Sequence, residues 1–199
     1  MIPDIKPVRP VEKKHAFDDP DWIFELKYDG FRALAYVEEN GCRFVSRKGY
    51  VFRHWPGLEQ WFAKNLAVRD AVLDGELVCL DEHGRSHFYD LFFRRKQPVY
   101  YAFDLVWLNG EDLRDRPLCE RKELLSALIP EQPAPILYAD HVAENGVPLF
   151  RSVCEMDLEG IVAKRKTAPY RDKTLWIKVR NPHDSQKEGR KELFEARWR

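Results

Sequence analysis

No charge sign dominates this chain. Its 33 lysines and arginines balance 33 aspartates and glutamates, so the molecule as a whole exerts no pull on a polyanion, and such a partner must be held by a local basic patch. Long apolar runs are also missing. No stretch approaches the roughly 20 residues that a membrane helix needs, and the N-terminal "MIPDIKPVRPVEKKH" carries no apolar run of the signal-peptide kind. Cysteine is scarce: Cys42, Cys79, Cys119 and Cys154 lie far apart without a C-x-x-C pair. That pattern predicts reduced thiols in a cytoplasmic protein rather than a disulfide scaffold or a zinc site. His83 and His87 are four apart, but Gly84 and Ser86 predict a turn between them, and no metal site is expected there. What is present is ordinary for a folded protein: 199 residues, 44% hydrophobic and 33% charged, enough to bury a core in one large domain or two small ones.

Residues 1–20 read as an extended, proline-bearing leader. Strands are expected at about 22–28, 31–38 and 42–47, with Asn40–Gly41 as a hairpin turn between the last two. A helix at 57–66, a strand through "AVLDGELVCL", a turn at His83–Gly84 and a strand through "VYYAFDLVWL" ended by Asn109–Gly110 follow. "CERKELLSALIP" predicts an amphipathic helix stopped by Pro130. Beyond it come a strand at 135–143, a helix at 147–157 with Val147, Leu149, Phe150, Val153 and Met156 as its apolar set, and strands at 160–166 and 174–180. Strands and helices are interspersed without regular β-α-β alternation. The expected fold class is α+β, built on mainly antiparallel sheets flanked by helices. The packed domain is expected to span 1–182, with a polar, basic tail at 183–199.

Strand parity sorts the polar residues, because side chains alternate faces. With 22–29 extended, Phe24, Leu26 and Tyr28 share one face and Glu25, Lys27 and Asp29 the other. In "TLWIKVR", Leu175, Ile177 and Val179 oppose Trp176, Lys178 and Arg180. Asp74 and Glu76 share a face with Val72 and Val78. Glu159 and Lys164 have opposite parity, so both reach one site only if the strand begins after Glu159 or bends at Gly160. Buried charge is costly unless paired or solvated. Each strand taken singly reads as a solvated sheet face; all of them together predict a common polar cleft.

At these residues the chain resembles a known family. "LKYDGFR" is similar to the K-x-D-G nucleotidyltransferase motif of ATP-dependent DNA ligases. The remaining elements follow in that family's order: "SRKG" at 46–49, "LDGELV" at 73–78, "YYAFDLVWLNG" at 100–110, "EGIVAKR" at 159–165 and "WIKVR" at 176–180. The flavour is that of small bacterial enzymes, including end-joining ligase modules. The resemblance implies a nucleotidyltransferase (ATP-grasp-like) catalytic domain with the nucleotide in a cleft between sheets, and cofactors ATP and Mg²⁺ or Mn²⁺. It implies that Lys27 is the nucleophile that takes AMP from ATP. An amine attacks phosphorus only when neutral; cations and desolvation favour that form, and carboxylates oppose it. By the same resemblance Glu76 and Glu159 hold the metal, and Glu76 also meets the ribose. Arg32 and Arg47 contact the ribose or a DNA 5′-phosphate, Phe103 stacks on adenine, and Lys164 and Lys178 bind the α-phosphate. Glu25 reads the adenine amino group. Asp29, Gly30, Asp74 and Arg180 complete the motifs, with Asp74 open to a purely structural role.

The sequence departs from the family pattern in two ways. No OB-fold domain is expected after Lys178, so the chain reads either as a free-standing catalytic domain or as part of a longer enzyme. Arg180 also stands where a second lysine is usual, keeping the charge but not the compact ammonium. The implied substrate is nicked double-stranded DNA, met by a monomer, with an OB-fold domain or an end-joining protein as a partner and no membrane. Basic clusters at "SRKG" with Arg53, at "FRRK" (93–96) and in the tail (Lys187, Arg190, Lys191, Arg197 and Arg199, with Phe194 and Trp198) are candidate phosphate contacts. Two other readings remain: an RNA ligase or other K-x-D-G nucleotidyltransferase such as a capping guanylyltransferase, and a nucleotide- or DNA-end-binding module that needs a partner domain for turnover.

Overall fold

The computed structural model describes residues 2–186, and the tail residues from Lys187 onward, with the contacts expected of them, lie outside that range. Two sheets face each other. One has five strands in the order β1 (Val11–Glu12), β12 (Trp176–Arg180), β11 (Gly160–Arg165), β2 (Trp22–Leu26) and β10 (His141–Ala143). The other has seven. Its path runs β5 (Val51–Phe52), β4 (Gly41–Ser46), β3 (Phe31–Glu38), β6 (Ala71–Val78), β7 (Val99–Leu108) and β8 (Glu111–Asp112), and β9 (Ile136–Tyr138) adds to β7. Among the described strands, only the β1–β12 and β7–β9 pairings are parallel. Helices α1 (Pro56–Asn65), α2 (Phe88–Phe92), α3 (Leu118–Leu128) and α4 (Gly146–Glu155) complete the described residues. None of them is long and apolar enough to cross a membrane.

Alternation along the strands builds three apolar layers. On β3, Ala33, Ala35 and Val37 turn outward to the core shared with Leu58 and Phe62 of α1 and Leu125 of α3. Leu34 and Tyr36 turn inward and meet Val8, Val72, Val106, Tyr170 and Trp176 between the sheets. The far side of the smaller sheet packs Phe24, Ile161, Ala163, Ile177 and Val179 against Val153 of α4. Each buried valine, leucine, isoleucine or phenylalanine among them contributes about 1.5–3 kcal/mol, the alanines less. The inner face of the smaller sheet carries the other parity, and there the polar residues collect.

Several expectations shift. The single strand expected at 135–143 is two: β9 joins β7 of the larger sheet, and after Ala139–Asp140 the chain crosses to pair β10 with β2 of the smaller one. The leader is extended, yet Ile5 and Val8 are core residues, the Ile5 N–H donates to the Tyr36 hydroxyl, and β1 completes the smaller sheet. Of the apolar set on α4, Val147 and Met156 are exposed, while Leu149, Phe150 and Val153 carry the packing. Asn109 and Gly110, both at positive φ, end β7 as expected and also fold β8 back on it.

Candidate active site

β2 delivers Glu25 to the inner face of the smaller sheet, opposite Phe24 in the outer core. Regular pairing ends at Leu26, and the Lys27 N–H donates to the Gly160 carbonyl at 2.9 Å. The chain then swings across to the larger sheet. Tyr28 therefore leaves the parity expected for it, lines the cleft and stacks on Tyr101 of β7 at 3.9 Å between centroids. Gly30 completes the crossing: a Cβ there would sit 2.1 Å from the Leu77 carbonyl oxygen, so only glycine fits.

The result is a cleft of about 210 Å³ between the two sheets. Lys27, Glu25, Arg32, Arg47, Glu76 and Phe103 line it, as do Lys164, Lys178 and Arg180. The Lys27 ammonium donates to Glu159 Oε2 at 2.7 Å. Glu159 reaches that point because β11 starts one residue later, at Gly160, whose φ of +152° and close approach to the Val179 carbonyl exclude a side chain. Of the two routes left open by parity, the chain takes the first, and Lys164 points into the cleft from the same strand.

Lys164 is almost wholly buried, with its ammonium 2.6 Å from Glu25 Oε2 and 4.3 Å and 4.1 Å from the ring centres of Phe103 and Trp176. Burial presses its pKa down, and the Glu25 carboxylate counteracts this only in part. Glu25 itself is 2% exposed. Burial disfavours its charge, but the Lys122 and Lys164 ammoniums outweigh that cost and hold its carboxyl below the ordinary range.

Arg32 lines the cleft but spends its fork on Asp74, at 3.0 and 2.5 Å, and donates to the Val8 carbonyl at 2.6 Å. Asp74 is fully buried and also accepts the Tyr170 hydroxyl at 2.6 Å, so it sits behind the cleft wall. Asp29 is buried outside the cleft lining. Lys178 and Arg180 share the inner face of β12 with Trp176 and face Glu12 at 3.3 and 3.9 Å. Arg47, exposed at the end of β4, forms the rim.

The carboxylates suit a hard cation shared with phosphate. Glu76 lies opposite Arg32 in register, and its carboxyl is pushed up to about 8. Burial is the main cause; Lys27 and Arg32 counteract it, and nearby Glu159 and Asp29 add to it. Added positive charge would relieve that crowding. Among the described residues no three His, Cys, Asp or Glu side chains close on one centre. Mg²⁺ does not need such a cage, since it keeps several waters and commonly takes one or two carboxylates with substrate phosphates.

Sequence reasoning missed six cleft residues and one behind it. Arg9 and Pro10 of the leader, Leu26, Tyr28, Val162 and Trp176 line the cleft. Lys122, 2% exposed on α3, donates to Glu25 Oε1 at 2.5 Å. A signal for Lys122 existed: Leu118, Arg121, Lys122 and Leu125 form the i, i+3, i+4, i+7 face of α3, and all four are buried. Two cations on an apolar helix face require buried acids, which Arg121 finds in Asp104 and Lys122 in Glu25.

Residues 6–180 match the family model described as "ATP dependent DNA ligase domain". The chain is 37% identical over 169 residues to the multifunctional non-homologous end joining protein LigD of Pseudomonas aeruginosa, covering 80% of this chain and 20% of that protein. It is 31% identical over 179 residues to the SPbeta prophage-derived DNA ligase-like protein LigB of Bacillus subtilis, covering 84% of this chain and 64% of that protein. Among solved structures, mycobacterial DNA ligase D complexed with ATP and MES superposes with a TM-score of 0.76 at 26% identity, covering 87% of this chain and 59% of that one. The chain thus spans between a fifth and two thirds of the length of these relatives.

Proposed function

Because this chain belongs to the ATP-dependent DNA ligase domain family, we propose that its cleft transfers AMP from ATP through Lys27 to the 5′-phosphate of nicked DNA and then seals the nick. One observation carries the reading: an amine, Lys27, sits in an intersheet cleft with Lys164, Lys178, Arg32, Arg47 and Arg180 around it, and with Glu76 and Glu159 on hand. Such a ring suits phosphoryl transfer, which is mostly positioning and charge stabilisation.

Lys27 first loses a proton to solvent, and its neutral amine then attacks the α-phosphorus. A nitrogen–phosphorus bond forms, the bond to the bridging oxygen breaks, and pyrophosphate leaves. Glu159, 2.7 Å from the Lys27 nitrogen, holds that group in place and accepts from it. Lys164 and Lys178 bear on the α-phosphate, and the base stacks on Phe103. A terminal phosphate oxygen of DNA next displaces the lysine and takes the AMP. The 3′-hydroxyl then attacks the activated 5′-phosphate, forms the phosphodiester and releases AMP. Glu76 and Glu159 are the residues that would hold Mg²⁺, which supplies charge neutralisation on the phosphates. The exposed Arg47 at the rim, with Lys48 beside it, supports a phosphate contact outside the cleft. An OB-fold domain or an end-joining partner would add grip on the duplex, and residues 1–182 form the catalytic unit. The four cysteines are free, in keeping with work in the cytoplasm.

The test uses ATP labelled at its α-phosphate with Mg²⁺, read on a denaturing gel. The wild-type chain is expected to retain label and Lys27→Ala to show none. On nicked DNA already carrying 5′-AMP, Lys27→Ala is expected to seal at a rate within about tenfold of wild type, since the lysine has no part in the last step. Equal labelling of the two proteins would overturn the assignment. Label without sealing of DNA nicks, but with sealing of RNA nicks, would move the substrate to RNA.

A further inference from the structure

Lys122 lies behind the cleft wall rather than in it. Its ammonium is fixed from three sides: by Glu25 Oε1 at 2.5 Å, by the Ala139 carbonyl at 2.9 Å where the chain crosses between the sheets, and by the Tyr138 ring with its centre 4.5 Å away. The other oxygen of Glu25 faces the cleft and meets Lys164 at 2.6 Å. Lys164 lies over the ring of Phe103. A base stacking on that ring therefore has to displace the Lys164 ammonium and take over its contact with Glu25 Oε2. An ionised carboxylate only accepts hydrogen bonds, so the displacing group must donate. An exocyclic amino group does so; an oxo group presents lone pairs and is repelled. When Lys164 leaves, Lys122 is the counter-ion that stays.

We propose that Lys122 is a positioning residue that holds Glu25 as a fixed hydrogen-bond acceptor at the base end of the cleft, so that the site selects a purine with a 6-amino group over one with a 6-oxo group. This rests on the nucleotide-transfer reading above. A purely structural pin between α3, β2 and the crossover would also explain the contacts, and the two roles differ in what they do to base preference.

The experiment measures covalent nucleotide transfer to the protein with ATP, inosine triphosphate and the triphosphate of purine riboside, which lacks any 6-substituent. Lys122→Met is expected to raise KM for ATP about tenfold or more with kcat within about threefold, the size of one lost charge-assisted hydrogen bond. KM for purine riboside triphosphate should stay within about twofold, so preference for ATP collapses toward it. In a Glu25→Ala background, Lys122→Met should change neither value further. An equal loss on both nucleotides, or an unchanged KM for ATP, overturns the proposal. If Lys122→Met does not fold, Lys122→Gln decides: it keeps a neutral donor toward Glu25 and the Ala139 carbonyl but removes the counter-ion, and should narrow the preference for ATP over purine riboside triphosphate at least about threefold, whereas an unchanged preference is refuting. If wild type transfers no nucleotide at all, the reading of the reaction fails, and calorimetric binding of the three triphosphates to the same variants still tests Lys122 by the same ratios.

Discussion

Arg121→Met is expected to unfold this protein more readily than almost any other single change, and the reason lies in what it would strand. Arg121 and Asp104 are both 0% exposed and joined by two hydrogen bonds of 2.8 and 2.9 Å. The guanidinium also donates to the carbonyls of Arg116 and Ala168, at 2.5 and 3.0 Å. Methionine fills much of the same volume but leaves the Asp104 charge buried, with the Leu105 N–H at 2.9 Å as its remaining hydrogen bond among the described residues. Removing one partner of a buried pair costs about 3–5 kcal/mol. For a chain of this length about 1 kcal/mol moves Tm by roughly 2–4 °C, so a fall of about 6–20 °C is expected. The assay is urea and thermal unfolding followed by tryptophan fluorescence. The double variant Arg121→Met/Asp104→Leu should recover most of the loss, because an apolar pair replaces an ionic one at little cost. A loss below about 1 kcal/mol for the single variant, or no recovery in the double, would show that the pair is not the dry tether between α3 and β7 that its geometry describes.

Two other predictions concern the cleft. The Glu76 carboxyl, raised from 4.5 to about 8 in the folded protein, binds a proton that the unfolded chain has already lost between those values. In metal-free buffer its contribution is therefore full below about pH 4.5 and is lost as pH rises through about 8, by something on the order of 5 kcal/mol. Glu76→Gln should remove that slope, and parallel unfolding curves for the two proteins from pH 5 to 9 would refute it. Gly160→Ala forces a Cβ to within 2.2 Å of the Val179 carbonyl oxygen at a φ of +152°. It should cost about 1–3 kcal/mol and slow labelling of Lys27 further, by moving Glu159; stability and labelling rate measured on one preparation check both, and normal labelling would separate Glu159 from the nucleophile.

Much of this was legible in the strands and little of it in the connections. The parity of "TLWIKVR" separates Ile177 and Val179 from Trp176, Lys178 and Arg180, and the fold keeps that separation. Alternation is a local rule, so a single strand displays it. The crossing at Ala139–Asp140 follows no local rule: Ile136–Tyr138 and His141–Ala143 look like one strand, and only the presence of two sheets divides them. Tyr28 departs from alternation for a similar reason: the rule holds while β2 is paired, and that pairing stops at Leu26. Asp74 and Glu76 share a strand face, yet Asp74 is shut behind Arg32 while Glu76 lines the cleft. Both keep the face that alternation gives them, opposite Leu34 and Arg32 of β3, and Asp74 is closed off because Arg32 and the Tyr170 hydroxyl bond to it.

Both sheets supply charged walls to the cleft, and most of the pairing lies within one sheet: Arg32 with Asp74 in the larger, Glu25 with Lys164 in the smaller. The smaller sheet brings Glu25, Lys164, Lys178 and Arg180 to one face, and the larger brings Arg32 and Glu76. Several of these charges are matched within the protein: Arg32 by Asp74, Glu25 by Lys122 from α3, and Lys27 by Glu159. Their partners hold them where they are, and buried pairs of this kind add little net stability. Among the described residues the ion pairs of Lys178 and Arg180 are with the exposed Glu12, and Arg47 stands at the rim. The chain carries no net charge, so attraction for a triphosphate must come from cations whose neutralisation is weak. A nucleotide would accordingly exchange the Lys178–Glu12 and Lys164–Glu25 contacts for contacts with its own phosphates and base. The Arg32–Asp74 and Lys122–Glu25 contacts would remain as the fixed walls.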